Sequence, residues 1–330
     1  MGIGEALKKR VLEIVLIELV ACTLLGLRVH SAFMTLKATL PVAMFLMLLQ
    51  PMYSLDLSAL RSGGHRRRIR FLGLVLLLYL VVAPALTFGL VQSWRLLLPA
   101  ETLSLLLGAV IVELSPVAMP APAFTAMSGG DVELSILSVI VTFALAPVVL
   151  PAYAAAMLHR VVHVPLAPLA RSIVLYIAAP FVAGQLLRHL VARGAAGPLE
   201  ARERLAAVNA RLATVSCLAL YWLVAVVFGV AAPKLVKLVS AVAEAVALLM
   251  AFTLARFAAA KLLAVTTGME KRDEIALVFA ASANGALGTA LALAAFGPGA
   301  GAGAVIAGPV AMLLAMTLVL KLYTGRREKG

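Results

Sequence analysis

Two polar interruptions stand inside stretches of the chain that are otherwise apolar. The first, residues 112–131, reads VELSPVAMPAPAFTAMSGGD and carries the carboxylate of Glu113, the hydroxyl of Ser115 and the prolines Pro116, Pro120 and Pro122. An ionisable group in hydrocarbon is costly and marks a functional position by default, so Glu113 is read as a proton carrier, a cation ligand or a counter-ion. The second, Ser282-Ala-Asn284-Gly285, runs on through Gly288 to Thr289. The Asn284 amide both donates and accepts, Gly285 admits backbone geometry that other residues resist, and half-helix ends at such a break present partial charges to ions. Between the two lie Ser135, Ser138 and Thr142, of which the last two are four residues apart and share one helix face. The residue types divide the expected roles. Ser115, Pro116, Pro120, Ser282, Asn284, Gly285 and Thr289 are expected to bind substrate, and Glu113, Ser135, Ser138 and Thr142 to serve a coupling ion, Na+ or H+. No resident metal or organic cofactor is expected.

These groups need elements that tolerate broken backbone at depth. Proline removes a donor and clashes with the preceding turn, and in hydrocarbon the freed groups survive only against protein or a water-filled cavity. Paired interrupted segments in the two halves of a membrane protein point to a transporter's binding site. The composition agrees, because the 330 residues are 63% hydrophobic, against about 45–50% for soluble domains. At about 20 apolar residues per crossing, ten spans are expected: 11–27, 35–53, 71–92, 103–127, 134–157, 169–190, 205–230, 235–257, 275–296 and 304–323. The basic N-terminal Lys8-Lys9-Arg10 precedes an apolar run without a convincing cleavage site and is read as the flank of a retained first helix.

The net charge of +13 resides between the apolar segments, which excludes a nucleic-acid partner and sets a topology instead. With both termini cytoplasmic, basic residues favour the inner segments by about three to one. That tally places Arg256 in the inner segment after the eighth span. The basic run from His65 to Arg70 is a topology determinant and a contact for anionic lipid. Ten spans split into five and five, residues 1–158 and 159–330, and an odd number per half makes an inverted repeat in which spans 4 and 9 correspond. A linker at 159–168 joins the halves, and the polar stretch 193–211 is expected to form an amphipathic cytoplasmic helix. Cys22 and Cys217 are read as packing residues, Tyr79 likewise, and Gln50-Pro51 as facing the core. Glu18 and Glu244 are further carboxylates inside spans. The absence of any phosphate loop, nucleophile elbow or zinc signature argues against an enzyme.

Ser115-Pro116, Ser128-Gly-Gly-Asp131, Leu134-Ser135 and Ala146-Pro147 together resemble the pattern of the bile acid:sodium symporter family, and Asn284-Gly-Ala-Leu-Gly-Thr-Ala-Leu-Ala292 resembles its second crossing helix. Leu40-Pro-Val-Ala-Met and Gln50-Pro51 look more like the arsenite efflux branch of the same superfamily. The resemblance implies a panel domain of spans 1, 2, 6 and 7 and a core domain of spans 3–5 and 8–10, with unwound spans 4 and 9 crossing in the core and substrate held between domains. Ser138 and Thr142 match family sodium ligands. The symporters' acidic residue and glutamine before the span 9 asparagine align with Phe279 and Ala283, their span 4 serine–asparagine pair with Ala121-Pro122, and their span 3 glutamine with Tyr79. The arsenite carriers' span 4 cysteine aligns near Pro116 or Val117. The expected protein is an all-α, ten-helix carrier of a small organic anion in the cell membrane, working by alternating access and coupled to sodium or protons. A metalloid efflux carrier and a passive channel or sensor on a degenerate carrier fold are the alternatives.

Overall fold

A computed structural model describes residues 11–55, 65–158, 175 and 178–324. Lys8-Lys9-Arg10, the linker at 159–168, the start of the sixth expected span and both extreme termini lie outside them. Among the described residues the chain is helical throughout, with a single isolated bridge between Val117 and Ala283 in place of any strand. The helices are α1 (Val11–Arg28), α2 (His30–Leu36), α3 (Leu40–Ser54), α4 (His65–Leu77), α5 (Ala83–Leu97), α6 (Leu103–Glu113), α7 (Ala121–Met127) and α8 (Val132–Leu158). After the linker come α9 (Ala179–Arg193), α10 (Pro198–Lys237), α11 (Val239–Thr266), α12 (Lys271–Ala280), α13 (Gly285–Phe296), α14 (Pro298–Val305) and α15 (Leu313–Thr324). Among the described residues six continuous helical stretches are long and apolar enough to cross a membrane: His30–Ser54, Arg66–Leu97, Val132–Met157, Pro198–Lys237, Val239–Thr266 and Pro298–Thr324. The chain is a multi-pass membrane protein.

Three expectations shift. The polar stretch 193–211 does not stand apart as its own helix, because its second half is continuous with the 40-residue α10. The helix expected to end at Phe257 runs on to Thr266, and Arg256, counted above with an inner segment, is buried within it. Glu244, also on α11, is exposed.

Prolines interrupt the hydrogen bonding of the long helices, and at two of them a neighbouring hydroxyl takes up the freed carbonyl. Pro84 cannot donate to Leu80, the helix widens to a π turn over Leu78–Val82, and the Leu80 carbonyl accepts the Tyr153 hydroxyl at 2.5 Å. Pro51 cannot donate to Met47, whose carbonyl accepts the Ser216 hydroxyl of α10 at 2.6 Å. Pro309 lies in a second π stretch, Ile306–Met312, between α14 and α15.

Packing is densest within two clusters, which also touch each other where α10 packs on α14. The long α10 packs against α1 and α3, and α3 against α9. In the other cluster α6 packs on α13 and α14, α11 on α12, and α7 on α8 and α12. Small residues permit the closest approaches. A Cβ on Gly288 of α13 would meet the Val112 Cα of α6 at 2.7 Å, and one on Gly285 would meet the Gly308 Cα at 2.6 Å. Gly129, at φ 74°, turns the chain from α7 back into α8, where the Asp131 carboxylate accepts from the Leu134 amide at 3.1 Å.

One end of the second cluster is fastened by ion pairs. Arg67 bridges Asp131 (2.8 Å) and Asp273, and Arg68 pairs with Glu133. Lys261 (2.6 Å), Lys271 (2.8 Å) and the Tyr323 hydroxyl (2.8 Å) all donate to Glu274, just ahead of the apolar part of α12. Burial pushes the Glu274 carboxyl up, but those three donors outweigh it and hold it at about 2.

Candidate functional site

The two interruptions foreseen in the sequence cross each other. α6 stops at Glu113, and the chain runs extended to the short α7; α12 stops at Ala280, and the chain runs extended to α13. Where they meet, the Asn284 amide donates to the Pro116 carbonyl (2.8 Å) and the Ala118 amide to the Ser282 carbonyl (3.0 Å), forming an antiparallel bridge two residues wide about Val117 and Ala283. Backbone groups orphaned by each break are thus satisfied by the other, which is the condition for unwound chain at this depth. The Val117 amide, facing away from the bridge, donates to the Thr142 hydroxyl of α8 at 3.1 Å.

The crossing sorts helix ends by sign. α6 and α12 arrive with their C-termini, where unpaired carbonyls carry partial negative charge; α7 and α13 depart with their N-termini, where unpaired amides carry partial positive charge. Each kind of end borders its own space.

On the N-terminal side is a cavity of about 580 Å³. Its floor is the start of α7 (Ala118, Met119, Pro120, Ala123) and of α13 (Ala283, Asn284, Gly285, Ala286). Its walls come from α3 (Met47, Gln50, Pro51), α10 (Ser216, Cys217) and the last helix (Gly308, Pro309, Met312, Met316). The cavity therefore lies between the two packing clusters, and most of its surface is apolar. Asn284 caps α13 by accepting the Leu287 amide at 3.0 Å, while its Nδ2 is buried with no partner.

On the C-terminal side is a far smaller space of about 10 Å³, bordered by Tyr79, Ser115, Val117, Ser282 and Arg256, enough for about one water. Arg256 extends from α11 to this point. Its Nη1 donates to Glu113 Oε2 at 2.6 Å and to the Glu113 main-chain carbonyl at 2.9 Å. Both residues are buried, at 2% exposure for Glu113 and 5% for Arg256. A charge this deep persists only with a partner and hydrogen bonds.

The residues singled out in the sequence are thus divided by the crossing. Asn284, Gly285 and Pro120 line the large cavity; Ser115 and Ser282 border the small one, their hydroxyls donating to Ile111 and Phe279 carbonyls at 2.7 and 2.6 Å. Pro116 contributes its carbonyl to the bridge. Thr289 donates to the Gly285 carbonyl at 2.7 Å and borders neither space. Ser135 accepts from Thr125 at 3.2 Å, Ser138 donates to the Ser135 carbonyl at 2.6 Å, and Thr142 donates to the Ser138 carbonyl at 2.8 Å while bracing Val117. Glu113 meets a cation that belongs to the protein.

Sequence reasoning missed Arg256, because a basic residue next to a span end reads as a topology signal. It also missed Cys217, Met312 and Met316 as cavity walls. The Gly308-Pro309 pair was a usable signal for the last helix, since a proline inside an apolar run marks a bend that protein must cover.

Among known proteins, the model of the family described as the Sodium Bile acid symporter family matches residues 41–238. A comparison with curated proteins finds no match. The matched region covers the first interruption and α10 and stops before the second interruption begins.

Proposed function

Because this chain belongs to the sodium bile acid symporter family, a family of transporters, we propose that it is a secondary carrier that moves a small organic anion across the membrane by alternating access, driven by an ion gradient of sodium or protons. The supporting observation is the 580 Å³ cavity between two packing clusters, whose floor includes the start of α13 with Asn284, a residue whose Nδ2 is buried without a partner. An anionic headgroup would sit against those donors, and an apolar body would lie along Met47, Met312 and Met316, which repack around varied shapes. The cluster of α1, α3, α9 and α10 would act as the panel and the remainder as the core. In each inverted half the fourth of the five spans, span 4 and span 9, would carry the crossing, and ten spans with both termini cytoplasmic complete the arrangement.

Rocking one cluster against the other would expose the cavity to either face in turn. The test is counterflow in proteoliposomes loaded with an unlabelled amphipathic carboxylate, such as a bile salt. Transient uptake of the labelled compound above its equilibrium level is expected. Uptake that never overshoots, with conductance to small anions instead, would show a passive channel.

A further inference from the structure

The back face of the crossing has the composition of a cation site, yet it already contains a cation. Two half-helices, α6 and α12, end there with partial negative charge. Ser115 and Ser282 border the same space, and the Tyr79 hydroxyl is buried beside it without a partner. In carriers built on broken helices, unwound carbonyls and half-helix C-termini are the groups that take up Na+. Here the guanidinium of Arg256 reaches that position, bonding both the Glu113 carboxylate and the Glu113 carbonyl at the very end of α6. About 10 Å³ is left over, too little for an ion together with any water of its own. A mobile cation beside a fixed guanidinium would also meet like-charge repulsion at short range in a low-dielectric setting.

We propose that Arg256 is a tethered cation that permanently fills the cation position behind the crossing, so that this protein holds its crossed helices together without a sodium ion there. The residues do not fit the sodium of the family's name at this site. Arg256 is a positioning residue. It neutralises Glu113 and the α6 terminus, and through them it fixes the Pro116–Ala118 segment whose other face is the floor of the large cavity. The tether deepens the carrier reading, on which it rests for the purpose of the site. If it holds, the driving gradient is the proton's or the substrate's own.

The test uses the full chain purified in detergent, with melting followed in NaCl, KCl and choline chloride at equal ionic strength. The wild type is expected to melt alike in all three and to bind no ²²Na+ at equilibrium. Arg256→Ala leaves Glu113 buried without its partner and is expected to melt roughly 5–15 °C lower in choline. Millimolar methylguanidinium or Na+ is expected to recover much of that loss by refilling the space, and choline none. A sodium-specific rise in the wild-type melting temperature, or stoichiometric ²²Na+ binding, overturns the proposal. So does an Arg256→Ala protein that folds and is indifferent to every cation. Should Arg256→Ala fail to fold, the wild-type measurements decide alone, and Arg256→Lys, which keeps the charge, is expected to melt alike in sodium and potassium. None of these measurements involves transport. A failed counterflow experiment therefore leaves the tether standing, and a sodium-stabilised wild type leaves the carrier standing.

Discussion

The main-chain amide of Asn284 donates to the main-chain carbonyl of Pro116 across 2.8 Å, joining two positions 168 residues apart in sequence at the point where both helices are broken. The bond costs the molecule no side chain. It leaves the Asn284 side chain for two other tasks, the α13 cap made by its oxygen and the substrate contact proposed for its buried, unpartnered Nδ2.

Those two tasks separate by substitution. Asn284→Ser keeps a capping oxygen and is expected to melt within about 1 kcal/mol of the wild type, because Asn and Ser are near-equal caps. Asn284→Ala is expected to lose about 0.5–2 kcal/mol. Both should lose carboxylate uptake, by roughly tenfold or more in kcat/KM if Nδ2 contacts the substrate. Uptake by the Ser variant at the wild-type rate would remove Asn284 from the binding site.

Gly285→Ala places a methyl 2.6 Å from the Gly308 Cα, where backbone meets backbone and no side chain can yield. The expected cost is about 1–3 kcal/mol, and the crossing should shift with it. A melting curve reads the cost, and a variant as stable as the wild type would show that the two helices do not approach this closely.

Cys217 lines the cavity, whereas Cys22 lies on α1 and does not. In a Cys22→Ser background, a membrane-permeant maleimide is expected to modify Cys217 and block uptake, and bound bile salt to protect it. Equal labelling with and without the bile salt would place the ligand elsewhere.

Thr142→Val retains the shape of α8 but removes the acceptor for the Val117 amide. An orphaned buried donor costs about 1–3 kcal/mol. Thr142→Ser keeps the hydroxyl and should restore most of the loss in a thermal melt; equal losses in both variants would show that the hydroxyl is not what holds the Val117 amide.

The Glu274 carboxyl, held at about 2 in the folded protein against an ordinary 4.5, makes stability fall with acid. Its folded value is depressed, so its contribution is complete above about pH 5 and fades as pH drops through 4.5 toward 2. The difference in melting temperature between wild type and Glu274→Gln should shrink over that range. A constant difference would assign the effect to packing with Tyr323.

Much of the fold could be read from residue types alone. Pro116, Pro120 and Pro122 within seven residues and the Asn284-Gly285 pair announced both interruptions, because together they remove or loosen the backbone bonds that a membrane helix needs. The partition between the two faces of the crossing could not be read. It depends on which helix end points which way, and Ser115 and Ser282 fall on a different side from Asn284 only once the chains cross. Arg256 escaped for a related reason. Its partner Glu113 lies 143 residues away, and nothing local distinguishes a buried arginine near a span end from one in the headgroup region. The run from Arg193 to Arg211 misled in the opposite direction, since its charges suggested a separate surface helix, while Pro198 begins a helix that continues unbroken into the apolar region.

The two proline bends have a mechanical corollary. Ser216 holds Met47 within the cluster of α3 and α10, and Tyr153 holds Leu80 within the cluster of α5 and α8. Each bend is pinned from inside its own cluster, so neither is free to flex as a joint. Both clusters are stiffened at these two prolines, so the travel that the proposed carrier requires would fall to the seam between the clusters rather than to either bend.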